Sequence, residues 1–429
     1  MITDELSEKE CEKTLASVEN FLRETIQQFG PLKQDNRLGR KRILPELALW
    51  SGLFVCILHK KFHQNDIWRL LTQECFWDSQ LYDIGDQAVY KRLDKKNDAL
   101  PLFFDHVSAL LRERLQPYAL RLAPAFSQVY AIDATKLEGV KRLLPSLREL
   151  TPSELLAGQI HGAFDLRLQQ WARILRVDQP TQNEKVTFLE LANSLEKGSL
   201  LLFDKGYFSF PLFDQLTDSG YFWITRQREK SSFEVLHTYY EEGQTRDALV
   251  WLGKYNADKA KHAVRLLDFE LGNTRYSYIT NVTDPNILSL REVAELYMRR
   301  WDIEMAFRTL KQYLGLHFLN SSKGEVLWHQ IWATLTIAQV IQGLRLEIAS
   351  KAEADVFDVS MELLCKIAPA LAKNGRDPVQ EIVMRGRFAK IIRPSRRTKN
   401  KAPDIPLSKY NLDIKVKSLE RKPRYAGKK

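Results

Sequence analysis

Apolar residues in the first 120 positions recur at helical spacing, through Leu47–Leu58, Trp68–Leu71 and Phe103–Leu115, with Gly30-Pro31 and Leu44-Pro45 as breaks. After Pro124 the period shortens. Gln128–Asp133 is a brief apolar run rich in β-formers that ends in a carboxylate, which predicts a central strand. Ile160–Leu166 and Trp171–Val177 flank Arg167 as a hairpin, and Glu184–Leu195 has helical spacing. Ser199–Asp204 predicts a second buried strand ending in aspartate, followed by a short helix at Pro211–Leu216 and a strand at Tyr221–Thr225. Residues 227–284 interrupt this alternation with β runs at Ala248–Leu252, Ala263–Glu270 and Arg275–Val282, the last two joined by a Gly272-Asn273 turn. A helical pattern then runs from Ser289 to about Leu314, and the remainder is helix-rich until Pro394, Pro403, Pro406 and Pro423 break it.

The fold class is therefore α/β. A helical domain spans 1–122, a core is split between 123–226 and 285–348, a β-rich insertion fills 227–284, and a helical region with a basic tail spans 349–429. Val326–Leu344 carries no charged residue and nearly reaches the roughly 20 residues needed to cross a bilayer. His329, Gln330, Gln339 and Gln342 within it favour a buried core helix, so no membrane association is expected.

Charge narrows the partners. Lys and Arg number 64 against 54 Asp and Glu, a formal +10, which favours a polyanion over an acidic small molecule. From Arg385 to the last residue, 16 Lys and Arg face 3 Asp and Glu, so the excess is mainly a feature of the tail. The tail lacks the sustained apolar face of a membrane-surface helix. Cys11, Cys56, Cys75 and Cys365 form no C-x-x-C pair, which argues against a disulfide framework or zinc module, and the N-terminus lacks a signal-peptide pattern. A reducing cytoplasm is the expected location. Gly85–Leu93 begins as a capped helix, with Asp86 as its N-cap and Lys91 and Arg92 placed to meet phosphates; a DNA-reading helix and an ordinary surface helix both fit.

At about 100° per residue, Tyr297, Arg300, Glu304 and Lys311 fall in a sector roughly 60° wide, beside an apolar stripe of Leu296, Ile303, Phe307, Leu310 and Leu314. One carboxylate, two cations and a phenol along the edge of a core suit a metal-bound, phosphate-facing site. A solvated helix with an Arg300–Glu304 pair is the alternative. Asp133 and Asp204 each close an apolar strand, where a carboxylate needs a cation unless it caps a turn. Phosphodiester chemistry gives a reason for three carboxylates together: Mg2+ prefers hard oxygen ligands, and two such ions can activate the attacking oxygen and stabilise the leaving one. Arg300 and Lys311 would then neutralise phosphate oxygens.

Over roughly residues 125–345 the chain resembles bacterial insertion-sequence transposases of the insertion-element-four family. Ala131-Ile132-Asp133-Ala134-Thr135 resembles the first-aspartate motif, Asp204-Lys205-Gly206-Tyr207 the second, and Tyr297, Arg300, Glu304 and Lys311 satisfy the Y-(2)-R-(3)-E-(6)-K signature. The strand Tyr278-Ile279-Thr280-Asn281 resembles the approach to the signature helix. The resemblance implies a ribonuclease-H-like catalytic core interrupted by the insertion, with Asp133, Asp204 and Glu304 as catalytic metal ligands for two Mg2+ ions, for which Mn2+ can substitute. Tyr297, Arg300 and Lys311, with Lys91 and Arg92 in the N-terminal domain, are the expected phosphate contacts.

By the same resemblance the partners are double-stranded DNA, as transposon ends and target, and a second copy of the chain in a synaptic homodimer. The expected location is the prokaryotic cytoplasm, on the nucleoid. The expected reaction is metal-dependent cleavage at terminal inverted repeats followed by strand transfer into target DNA. Two alternatives remain: a ribonuclease-H-like nuclease or resolvase without strand transfer, and an inactive, domesticated DNA-binding protein. In some relatives a Trp in the insertion supports a flipped base; Trp251 is the only Trp in this insertion and does not align with that role, which leaves a hairpin intermediate open. Arg226, Lys136, Lys141 and Arg142 read equally as DNA contacts or surface charges, and His161 as a strand residue.

Overall fold

The computed structural model describes residues 17–29, 43–137 except 62, 64, 78 and 79, 158–254 except 180, 181 and 183, 258–316, 324–395 and 402–425. Cys11, Lys141 and Arg142 lie outside these. Among the described residues, nine strands form one mixed sheet in the order β3-β2-β1-β4-β5-β9-β8-β7-β6. The strands are β1 (Val129–Lys136), β2 (Gln159–Asp165), β3 (Gln170–Val177), β4 (Leu200–Phe203), β5 (Phe222–Arg226), β6 (Phe233–Glu242), β7 (Thr245–Leu252), β8 (Val264–Leu271) and β9 (Thr274–Thr280). β1, β4 and β5 are mutually parallel, and every other pairing is antiparallel.

The parallel strands are covered on both faces, which is why they read as continuous apolar runs. Alternation along them assigns the faces. Val129, Ala131, Leu200 and Leu202 join one core with Ile303 and Phe307, while Tyr130, Ile132, Leu201 and Phe203 join a second with Phe188, Phe213 and Trp223. By the period of two, Asp133 and Thr135 continue the first face.

The helices are α1 (Val18–Phe29), α2 (Glu46–Leu58), α3 (Asp66–Gln73), α4 (Asp86–Leu93), α5 (Ala99–Leu115), α6 (Glu184–Asn193), α7 (Phe210–Asp218), α8 (Leu290–Arg299), α9 (Trp301–Arg308), α10 (Gly324–Lys351), α11 (Met361–Lys373) and α12 (Pro378–Arg385). α10 contains Val326–Leu344 and is buried along most of its length, with His329 bonded to the Leu93 carbonyl and Gln339 spanning the Trp171 backbone and Ser108. Its uncharged stretch is a core helix, and no helix among the described residues is long and apolar enough to cross a membrane.

Three local expectations need correction. Asp133 does not end its strand, because β1 pairs with β2 as far as Lys136. Asp86 is the first helical residue rather than the N-cap, which is Gly85; its carboxylate accepts from Gln87 N at 2.7 Å. The helix after Ser289 is not continuous: it breaks at Arg300 and ends in a π-helical turn, Thr309–Tyr313. Proline excludes long regular elements from the tail, yet residues 402–425 are held against the insertion. Lys259 bridges to Arg424 and His262 to Glu420, Tyr410 stacks on Tyr240 at 5.8 Å, and the Arg421 guanidinium lies 4.7 Å from the Trp251 ring centre.

Candidate active site

The parallel pairing of β1 and β4 brings the two aspartates together. Ile132 and Phe203 are partners in register, so Asp133 and Asp204 each follow the same rung of neighbouring strands. Both continue the face that packs against α9. Asp204 sits just beyond β4 and caps the turn Lys205–Tyr207, its carboxylate accepting from Gly206 N at 3.4 Å.

Glutamate reaches the same place from the broken helix. Ser289 and Glu292 form a reciprocal capping box that starts α8, and apolar residues seat α8 and α9 on the sheet. Trp171 packs at 4.8 Å from Phe307 of α9 and crosses Gly162, the partner of Asp133 on β2; a Cβ at Gly162 would lie 2.6 Å from the Trp171 ring. A side chain at Gly162 would push Trp171 into α9.

Arg300 stands between carboxylates, with Nη2 donating to Glu304 at 2.7 Å and Nη1 3.9 Å from Asp133. Lys311 approaches from the π-helical turn and donates to Thr135 Oγ1 at 2.5 Å. Burial pushes the Asp133 carboxyl up to about 6; the Ala134 N–H and Arg300 pull it down, while Glu304 and Asp204 raise it further. Burial holds the Lys311 ammonium below its usual range, with Asp133 acting in the opposite sense.

Tyr297 is buried rather than facing solvent. Its ring packs at 4.9 Å from Tyr278, with the Arg226 and Arg300 guanidinium groups 5.6 and 5.8 Å from its centre, and burial drives its phenol well above the ordinary range. It therefore backs Arg300, and it draws Arg226 toward the site. Lys136, at the end of β1, is exposed. His161 is buried and bonded to Gln159 at 2.8 Å, and burial lowers its imidazole to about 4, so it is neutral at pH 7. Lys91 and Arg92 belong to a different part of the fold: on α4, Lys91 is exposed while Arg92 donates to the Leu44 carbonyl.

Three neighbours escaped the sequence reading. Thr135 gave no signal beyond its spacing of two from Asp133. Tyr207 lies within the second-aspartate motif, yet its buried ring among Phe188 and Phe203 is a tertiary fact. Behind α9, the buried Asp302 carboxylate lies 3.0 Å from Arg299 and accepts from Gln169 at 3.1 Å.

Among the described residues no three acidic, histidine or cysteine side chains stand close enough to cage an ion unaided. The donors are of the kind that suits Mg2+, hard carboxylate oxygens, and Glu304 and Asp204 lie near enough to raise the Asp133 carboxyl.

The Transposase DDE domain family matches residues 124–340, a span that contains Asp133, Asp204, Arg300, Glu304 and Lys311. A protein named as a transposase, y4zB of Sinorhizobium fredii (strain NBRC 101917 / NGR234), is 26% identical over 151 residues, 33% of this chain and 41% of its own length. Transposase InsG for insertion sequence element IS4 of Escherichia coli (strain K12) is 24% identical over 171 residues, 37% of this chain and 38% of its own length. The matches thus span about two fifths of these relatives. A piggyBac transposase synaptic complex with hairpin DNA aligns over 89% of this chain and 82% of that chain, at 11% identity and a TM-score of 0.40. With the family match covering half of the sequence, this chain belongs to the Transposase DDE domain family.

Proposed function

We propose that this protein is a DDE transposase of the insertion-element-four type, which binds the terminal inverted repeats of its own element, hydrolyses the end phosphodiesters to free 3′-hydroxyls, and directs those hydroxyls at target DNA. The observation that carries this reading is the meeting of Asp133, Glu304 and Lys311 around Arg300 and Thr135, with Asp204 on the adjoining strand. The order β3-β2-β1-β4-β5, with β2 antiparallel and β1, β4 and β5 parallel, supports reading this part of the sheet as a ribonuclease-H-like core into which residues 227–284 are inserted.

Asp133, Asp204 and Glu304 would hold two Mg2+ ions, or Mn2+ in their place. Bound there, the metal supplies Lewis-acid stabilisation of the oxygens that enter and leave phosphorus. The chain's own residues do the rest. Arg300 offers a planar guanidinium for bidentate contact with a phosphate once it exchanges its protein carboxylates for substrate oxygens. Lys311, oriented by Thr135, adds a point charge on the strand side. Both steps are in-line displacements at phosphorus, so one site can accept water and then a 3′-hydroxyl as nucleophile.

Lys91 and Arg92 are assigned to end recognition in the N-terminal domain, Arg92 through exchange of its Leu44 contact. Joining two ends calls for a homodimer. A ribonuclease-H-like nuclease would use the same carboxylates, so strand transfer decides between the readings. Pre-cut element ends with free 3′-hydroxyls, incubated with plasmid and Mg2+, should yield end-joined product. Cleavage of intact ends without any joining would favour the nuclease.

A further inference from the structure

The C-terminal end of α12 runs into a tight turn that lifts Met384 and Phe388 into solvent. They are 69% and 93% exposed, the most open large apolar side chains among the described residues. Met384 stands in the last turn of α12 and Phe388 in the turn just beyond it. The turn is firmly built. Gly386 N donates to Ile382 O at 2.7 Å, Ala389 N to Arg385 O at 2.9 Å, and Ile391 and Ile392 N both to Gly386 O at 2.8 and 3.0 Å. Ile382, Ile391 and Ile392 are buried beneath it. A Cβ at Gly386 would fall 2.3 Å from the Ile382 carbonyl oxygen, so the closure requires glycine. Arg387 fastens the turn to the end of α10 by donating to Ala352 O at 2.7 Å.

Charge within the segment that forms this knob has one sign. Residues 384–393 contain Arg385, Arg387, Lys390 and Arg393 and no carboxylate. Of the acids nearby, Glu381 pairs with Arg376 while also facing Arg385, Glu362 pairs with Lys366 while also facing Arg393, and the Asp358 carboxylate accepts from Ser395 N at 2.8 Å. An exposed phenylalanine gives up the burial that would normally stabilise its ring. A rigid apolar tip ringed by cations fits a polyanion with an apolar interior. Duplex DNA is that partner: phosphates meet the cations, and apolar side chains wedge at base steps from the minor groove.

We infer that the Met384–Lys390 knob is a second DNA contact, separate from the carboxylate site, in which Arg385 and Lys390 hold phosphates and Phe388, backed by Met384, wedges against the bases. This rests on the DNA-binding reading above and adds a surface that chemistry at Asp133 does not need.

The test uses full-length protein and a mixed-sequence duplex, titrated at several salt concentrations. Phe388→Ala should weaken binding by about 5- to 100-fold, the range for loss of one aromatic contact to a base, with the salt slope unchanged. Arg385→Gln with Lys390→Gln should instead flatten the slope of log K against log salt by about 1.8, two phosphates at roughly 0.9 each. Phe388 replaced by p-benzoylphenylalanine should photo-crosslink to the duplex. Wild-type affinity and slope in these variants, or a crosslink to a second protein copy in place of DNA, would overturn the knob while leaving the transposase reading intact. Failure of the wild-type protein to bind any duplex would overturn both.

Discussion

Lys311 on the π-helical turn donates to the Thr135 hydroxyl at 2.5 Å, and Thr135 stands two residues beyond Asp133 on the same face of β1. The strand that carries the first aspartate thus also orients the last cation of the signature. Lys311→Ala should reduce end cleavage by about a hundredfold, the usual loss on removing one preorganised donor. Thr135→Val should cause a smaller loss, since it removes only the orienting hydroxyl. Single-turnover cleavage of labelled ends measures both, and a larger loss in Thr135→Val would reverse the assigned roles.

Asp133→Asn, Asp204→Asn and Glu304→Gln preserve shape and remove charge. Each should lower cleavage by on the order of a thousandfold or more, as expected for members of one catalytic unit, while gel-shift affinity for DNA persists. Cleavage near the wild-type rate in any one variant removes that residue from the site.

Three arginines of the signature region should separate cleanly. Arg300→Ala should abolish cleavage in a folded protein, because Arg300 bridges the carboxylates. Arg299→Ala removes one partner of the buried Asp302 carboxylate, which keeps its bond from Gln169 and the nearby Arg345 charge, and should cost about 1.5–3 kcal/mol of stability. Arg308 is exposed, and Arg308→Ala should stay within about 0.5 kcal/mol of wild type. Urea denaturation beside a cleavage assay distinguishes the three, and equal loss of activity at all of them in folded protein would return this helix to an ordinary charged surface.

Asp133 makes stability depend on pH. Its carboxyl is raised from 3.8 to about 6, so the folded protein binds more protons than the unfolded chain between those values. Its contribution is favourable at low pH and is lost as pH rises from 3.8 through about 6, a change of about 3 kcal/mol. Asp133→Asn should remove this component, leaving the variant more stable than wild type at neutral pH without divalent ions. Identical pH dependence in the two proteins would contradict the buried, charge-crowded environment.

The tail should behave as a structural strap. Arg421 donates to Ala260 O at 2.9 Å and to Leu252 O at 2.5 Å while covering Trp251. Arg421→Ala should cost about 1–3 kcal/mol through the lost hydrogen bonds and ring contact. Loss of residues 402–425 should also expose Trp251, read as a red shift in fluorescence. A truncated protein with unchanged melting and emission would show that these contacts do not strap the insertion.

Local pattern alone located most of the helices and strands, because a segment covered by a core must repeat its apolar residues at 3.6 or 2, or run continuously when both faces are covered. It also placed Tyr297, Arg300, Glu304 and Lys311 near one another, since a helix fixes the relation of residues a few positions apart. It did not find β6, whose alternation is broken by register shifts at Val235/His237 and Thr238/Tyr240. The break at Arg300 and the π-helical turn were also hidden, because the apolar spacing continues through both. Asp133 and Asp204 are 71 positions apart in the chain, and only the register of Ile132 with Phe203 makes them neighbours. Thr135 acquires its role from Lys311, 176 positions away, and the proline-rich tail acquires order from the insertion it crosses. Periodicity records which side of a segment meets apolar surroundings; which distant residue stands there is decided by strand register and packing across the whole chain.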